Sequence, residues 1–150
     1  MPEIEVLMVA NHVEAINGLL YLSGGGWTDL RRPAAPQGGP VPVNHMGIAI
    51  AILVGWNDTN QRHRLDVRLE NADGRDLVTL QADVEVGRPP GLPVGSDLRT
   101  VMGINVEFQF PSAGIYRIVA AVAGNRRSIS FRVHDIAGAA VIPGQPPQQQ

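Results

Sequence analysis

A chain of 150 residues with no cysteine, no lysine and a net charge of −2 is closed to several chemistries at once. Without cysteine there is no disulfide, thiolate metal site or cysteine nucleophile; without lysine there is no Schiff base, phosphate-loop lysine or Ser–Lys dyad. A pI near 6.0 provides no basic footprint, so neither nucleic acid nor an anionic membrane is expected as a partner.

Charged residues make up 17% of the chain, below the usual quarter, so either much of the surface is buried or part of it meets another chain. The opening residues lack the basic stretch of a signal peptide. The longest apolar run, residues 46–56, is about half a membrane span. A soluble, cytoplasmic protein is expected.

In chain order, the dominant period is two, which means strands. Ile4, Val6, Met8 and Ala10 alternate with Glu5, Leu7 and Val9. Asn17-Gly18 is a turn signal, and residues 19–23 read as a hairpin partner of the first strand. Gly24-Gly25-Gly26 leads into residues 27–30, and the four prolines in residues 31–43 mark a crossing loop. The next strand, from His45 to about Trp56, is apolar on both faces: Met46, Ile48, Ile50, Ile52 and Val54 on one, Gly47, Ala49, Ala51 and Leu53 on the other. Such a strand is covered on both sides or lies at an interface.

Residues 57–62 form a polar connection with room for one helical turn. Leu65, Val67 and Leu69 follow as a strand with one wet face, and Ala72-Asp73-Gly74 is a tight turn. Val78, Leu80, Ala82, Val84 and Val86 form the next inward row, followed by a second proline-rich crossing at residues 87–98. Met102, Ile104, Val106, Phe108 and Phe110 are inward again. Residues 115–122 and a hairpin at Gly124-Asn125 lead to Ile129, Phe131 and Val133. No helical period is sustained, and the strand spacing with two long crossings predicts an all-β Greek-key sandwich of about eight strands over residues 1–135. Residues 136–150, rich in proline and glutamine, are expected to be a flexible tail.

Candidate chemistry is sparse. The triple glycine has no following helix to cradle an anion, and a bend explains it. His12, His45, His63 and His134 show no ligand spacing, although a distant set of His45, His63 and Asp58 is conceivable. Asn71, Asp73 and Asp76 lack the terminal glutamate of a calcium loop. No serine sits in a nucleophile elbow. A glycosidase-like pair such as Glu85 with Glu107 falls on wet strand faces. No catalytic residue, metal site or cofactor is therefore predicted. The distinctive surface feature is the stiff loop of Arg88, Pro89, Pro90 and Leu92, either a recognition element or a crossover that shields a sheet edge. With Trp27 and Trp56 it makes up the expected interaction surface.

Two resemblances add to this. Gly114-Ile115-Tyr116, the hairpin at Gly124-Asn125 and Phe131-Arg132-Val133 resemble the closing strands of immunoglobulin-like domains. That implies a tyrosine-corner role for Tyr116. The pieces GLLYLSGGGWTDL, HMGIAIAILVGW, RHRLDVRLENADG and GRPPGLPVG resemble a family of uncharacterised small bacterial proteins, a domain of unknown function, over residues 4–134. That resemblance supports a sandwich and names no substrate. The functional expectation is a non-catalytic binding or assembly module, with a protein partner or a symmetric dimer. The competing expectation is a small-molecule-binding protein or hydrolase with a pocket at the loop ends near Trp27, Trp56 and His45.

Overall fold

A strand that is apolar on both sides needs two covering layers, and the chain is built around one such strand. The structure, a computed structural model, describes residues 1–35 and 38–136. Ten strands run through them: β1 (Glu3–Ala10), β2 (His12–Ile16), β3 (Leu19–Ser23), β4 (Asp29–Pro33), β5 (Asn44–Val54), β6 (Arg62–Glu70), β7 (Asp76–Glu85), β8 (Leu98–Phe108), β9 (Gly114–Val122) and β10 (Asn125–Ile136). The only helical piece among the described residues is a 3₁₀ turn, Trp56–Asp58. The expected tail lies, past Ile136, outside the described residues.

The strands form one sheet in the order β1-β5-β8, a second in the order β4-β10-β9-β6-β7, and the separate hairpin β2-β3. The two large sheets share one core. Met46, Ile48, Ile50, Ile52 and Val54 of β5 meet Leu65, Val67 and Leu69 of β6, Ile118 and Ala120 of β9, and Phe131 and Val133 of β10. All three phenylalanines join Tyr116 and Trp27 at one end, with neighbouring ring centroids 4.8 to 6.1 Å apart. The Tyr116 hydroxyl donates to the Ser112 carbonyl at 2.6 Å, tying the turn before β9 to that cluster.

Three expectations need correction. The first strand carries a bulge between Ile4 and Val6, so the unbroken alternation read from sequence fails and its inward residues, Ile4, Leu7 and Val9, come from both alternating sets; one extra residue turns every later side chain to the other face. β3 pairs with β2, not with the first strand, through a turn in which Asn17 and Gly18 have φ of 51° and 75°, as a two-residue hairpin requires. β4 runs through Arg31, Arg32 and Pro33, placed in the loop from sequence, and pairs in parallel with β10. It is an edge strand, where a missing N–H need not break a ladder. β2 and β4 bring the strand count above the expected eight.

The outer face of β5 is covered by the hairpin. A Cβ on Gly47 would stand 2.7 Å from Cγ2 of Val13, and one on Gly103 would stand 2.9 Å from its Cγ1. Two glycines on adjacent strands thus form a notch that receives Val13, which is fully buried with Ala10 and Ala49. Asn105 of β8 holds β2 in place. Its Oδ1 accepts from the Val13 N–H at 3.1 Å, and its Nδ2 donates to the Val13 carbonyl at 2.7 Å. Asn105→Ala leaves both backbone groups without that partner, so a loss of about 1–3 kcal/mol is expected in urea unfolding. Amides of residues 12–23 should exchange faster; unchanged stability and exchange would contradict the clamp.

Two carboxylates tie strands together within their own sheets, Glu5 of β1 to Arg99 of β8 and Asp29 of β4 to His134 of β10. Glu5 is held below the usual carboxylate range by its hydrogen bond from Arg99, and Asp29 by hydrogen bonds from His134 and then Thr28. A carboxylate depressed in the folded state adds stability above its unfolded pKa and loses it as pH falls through the folded value. The urea midpoint should therefore drop on going from about pH 5 to pH 3, and less steeply in Glu5→Gln. Equal slopes in the two proteins would exclude this role for Glu5.

Candidate functional site: a groove between two strand edges

β7 and β8 end their sheets, each with a neighbouring strand on one side only among the described residues. They face each other across the mouth of the sandwich, and no described residue fills the space between them. The inward side chains of β8 (Leu98, Thr100, Met102, Ile104, Val106 and Phe108) are all only half-buried, as are Val78, Leu80 and Ala82 of β7. Three recesses succeed one another along this mouth. One lies between Val78, Leu80, Val106 and Phe108 and holds only about 20 Å³. A second, of about 190 Å³, lies between Leu80, Ala82, Met102 and Ile104, floored by Leu65 and Val67. The third is wider and open, lined by Glu85, Arg88, Pro89, Leu98 and Thr100. Together they form a groove as long as β8, roughly 35 Å at strand rise, apolar over the first two recesses and charged at the third.

The proline-rich loop, read from sequence as either a recognition element or a crossover, closes one end of this groove. Arg88 is committed to holding the loop down. Its Nη2 donates to the Trp56 carbonyl and its Nε to Thr59 Oγ1, both at 2.6 Å, while its guanidinium carbon lies 4.1 Å from the Trp56 ring centroid. Arg88, Pro89 and Trp56 therefore share one neighbourhood. Pro90 is exposed and Leu92 half-buried farther along the loop. Trp27 does not belong to this surface: it is buried edge-on against Phe131, 5.3 Å between centroids. The expected interaction surface included it, whereas the glycine bend before it turns it into the core.

The expected loop-end pocket near Trp27, Trp56 and His45 does not form as a unit, since these residues belong to three separate clusters. His45 instead meets His12. Their rings stack with centroids 5.7 Å apart, His12 Nδ1 lies 3.4 Å from His45 Nε2, and Glu14 and Glu107 each approach one imidazole at 3.3 Å. Nothing in the spacing of residues 12 and 45 signals this pairing, which follows from β2 folding over β5. His63 Nε2 contacts the Asp58 carbonyl at 2.8 Å, away from His45. Among the described residues no group of three or more histidines and carboxylates is placed to hold a metal ion. Glu85 and Glu107 sit on different strands with different partners, Arg62 and His45. Asn71 Oδ1 accepts from the N–H groups of Asp73 and Arg75, so the acidic turn is closed by its own backbone. Gly26 N–H donates to the Val9 carbonyl at 2.8 Å, and the triple glycine is a bend.

A family model described as a family of unknown function (DUF6941) matches residues 5–134. The chain belongs to this family. The DUF6941 match spans the hairpin, both large sheets and the groove, so all three are features of the matched domain. No curated protein matches the chain. Among the described residues no helix is long and apolar enough to cross a membrane.

Arg88→Ala removes two hydrogen bonds and a cation–π contact, and a stability loss of about 1–2 kcal/mol is expected. Trp56 should gain solvent and its fluorescence emission shift to longer wavelength. Emission and stability identical to the parent protein would contradict the loop anchor.

Proposed function

We propose that this domain is a non-catalytic binding module that accepts an extended segment of a partner protein, laid as a strand between β7 and β8. One observation carries the reading: the groove is apolar over its first two recesses, and each of its long sides is a strand edge. An edge offers backbone N–H and C=O groups to an added strand, and alternate side chains of that strand would enter the recesses. The charges on these edges lie toward their ends, at Asp76, Asp83 and Glu85 of β7 and at Arg99 and Glu107 of β8. The middle of each strand is left to backbone pairing. Pockets for compact ligands usually enclose about 300–1,000 Å³. The two apolar recesses, of about 20 and 190 Å³, suit single side chains better, while the third, of about 450 Å³, is an open surface flanked by Glu85, Arg88 and Arg99.

A second reading, a small apolar molecule such as a short acyl chain, is favoured by the almost wholly apolar lining of the 190 Å³ recess. We read the architecture as an immunoglobulin-like Greek key. The parallel pairing of β4 with β10, the sheet order, and the Tyr116 bond to a carbonyl four residues upstream support this. A chain without cysteine suits a reducing compartment, and we place its work in the cytoplasm.

The test is an amide chemical-shift titration of the labelled full chain with a synthetic peptide of alternating valine and threonine, and separately with octanoate. Peptide binding should move amides of residues 78–82 and 102–106, and Ala82→Arg should weaken it at least about tenfold by filling the mouth. Octanoate shifts around Leu65, Leu80 and Met102 without any peptide response would favour the small-molecule reading. No response of either strand at millimolar peptide would overturn the proposal.

A further inference from the structure

Strand edges invite pairing with other chains, and folded proteins guard them with charge, proline or a covering group. Several edges here are guarded, those of β7 and β8 only toward their ends. Arg127 covers the edge of β1, donating to the carbonyls of Ile4 and Glu5. β4 contains Pro33 and two arginines, and β7 and β8 carry charges toward their ends. β3 is the exception: Leu19-Leu20-Tyr21-Leu22-Ser23 has no charge, proline or glycine. It has β2 on one side and no strand on the other among the described residues.

The direction of its free hydrogen-bonding groups follows from the clamp. Asn105 takes the Val13 N–H and C=O, so these point away from β3, and the Val13–Leu22 pair is a non-hydrogen-bonded one. Leu22, and Leu20 two residues earlier, therefore turn their own N–H and C=O to the open side. Among the described residues, four of the ten exposed large apolar side chains, Ile16, Leu19, Tyr21 and Leu22, belong to this one hairpin, with Tyr21 52% exposed.

We infer that the hairpin is a homodimer interface, formed by antiparallel pairing of β3 with β3 of a second copy. The occupant is the same chain because the edge is complementary to itself. A twofold axis at Tyr21 sets Leu20 opposite Leu22 of the other copy and Leu22 opposite its Leu20. These are the residues whose backbone groups face outward, and the pairing satisfies them in both chains. The two Tyr21 side chains then lie side by side in a non-hydrogen-bonded pair, the closer of the two cross-strand geometries. An isologous contact of this kind closes after two copies. It uses a surface separate from the β7–β8 groove, so either proposal can fail alone.

Light scattering coupled to gel filtration on the full chain tests it. At tens of micromolar the mass should be twice the chain mass of 16.1 kDa. Tyr21→Lys places two like charges side by side at the axis and should give a monomer, as should Tyr21→Glu. Mixing the two variants should restore the dimer, because opposite charges then meet. A monomeric parent protein, a Tyr21→Lys protein that stays dimeric, masses that grow beyond two copies, or a mixture that remains monomeric would each overturn the inference. The mixture separates loss of pairing from loss of the hairpin.

Discussion

The constraint on which the structure depends is that β5 must be covered on both faces. Seven consecutive residues, Met46 through Ile52, are buried, and no single layer can do that to a strand whose side chains alternate. Its inner row is met by β6, β9 and β10 across the core. Its outer row is too small to be covered by bulky side chains alone, so backbone comes down upon it. Gly47 and Gly103 remove the Cβ atoms that would hold β2 away, and Asn105 replaces the strand neighbour that β2 lacks on that side. Fully burying a valine contributes about 1.5–3 kcal/mol, which makes Val13 the anchor of the whole hairpin.

Covering β5 in this way leaves its consequences at the periphery. With the hairpin spent on the outer face, no element among the described residues remains to close the far side of the sandwich. β7 and β8 stand opposite one another with half-buried inward rows. β3 in turn lies on top of the molecule with one edge free. The low charge content noted in the sequence is accounted for in both places: apolar side chains line the mouth and crown the hairpin instead of lysines and glutamates. A domain of this kind in a family of unknown function is better described by its edges than by any constellation of reactive groups.

Much of the fold was legible in the sequence because alternation reports burial directly. The double apolar character of β5, the inward rows of β6, β7, β8 and β10, and the Asn17-Gly18 turn follow from side-chain chemistry alone. Three things were not legible. The bulge in β1 inverts its faces, and an apolar run such as Ile4 to Ala10 looks the same in either phase. β2, with His12 and Glu14 among its five residues, has too little pattern to announce a strand, since a tertiary clamp holds it there. β4 hides behind Arg31, Arg32 and Pro33, which read as loop unless the strand is known to lie at an edge. As for the site, the neighbourhood of Trp56, Arg88 and Pro89 was found because a proline-rich loop bearing arginine is conspicuous. Trp27 was misplaced because exposure of a large aromatic depends on the bend before it. The groove itself was invisible, for an edge is a property of strand order, and strand order is not written in any one segment.

Native-state amide exchange resolved by residue tests the central claim, that β5 is sealed on both faces while β7, β8 and β3 present open edges. The account predicts that β5 amides exchange last, at the rate of global unfolding. Every second amide of β7 and β8 should exchange orders of magnitude faster. Protection of all β8 amides to the level of β5, in a protein shown to be monomeric and unliganded, would contradict it.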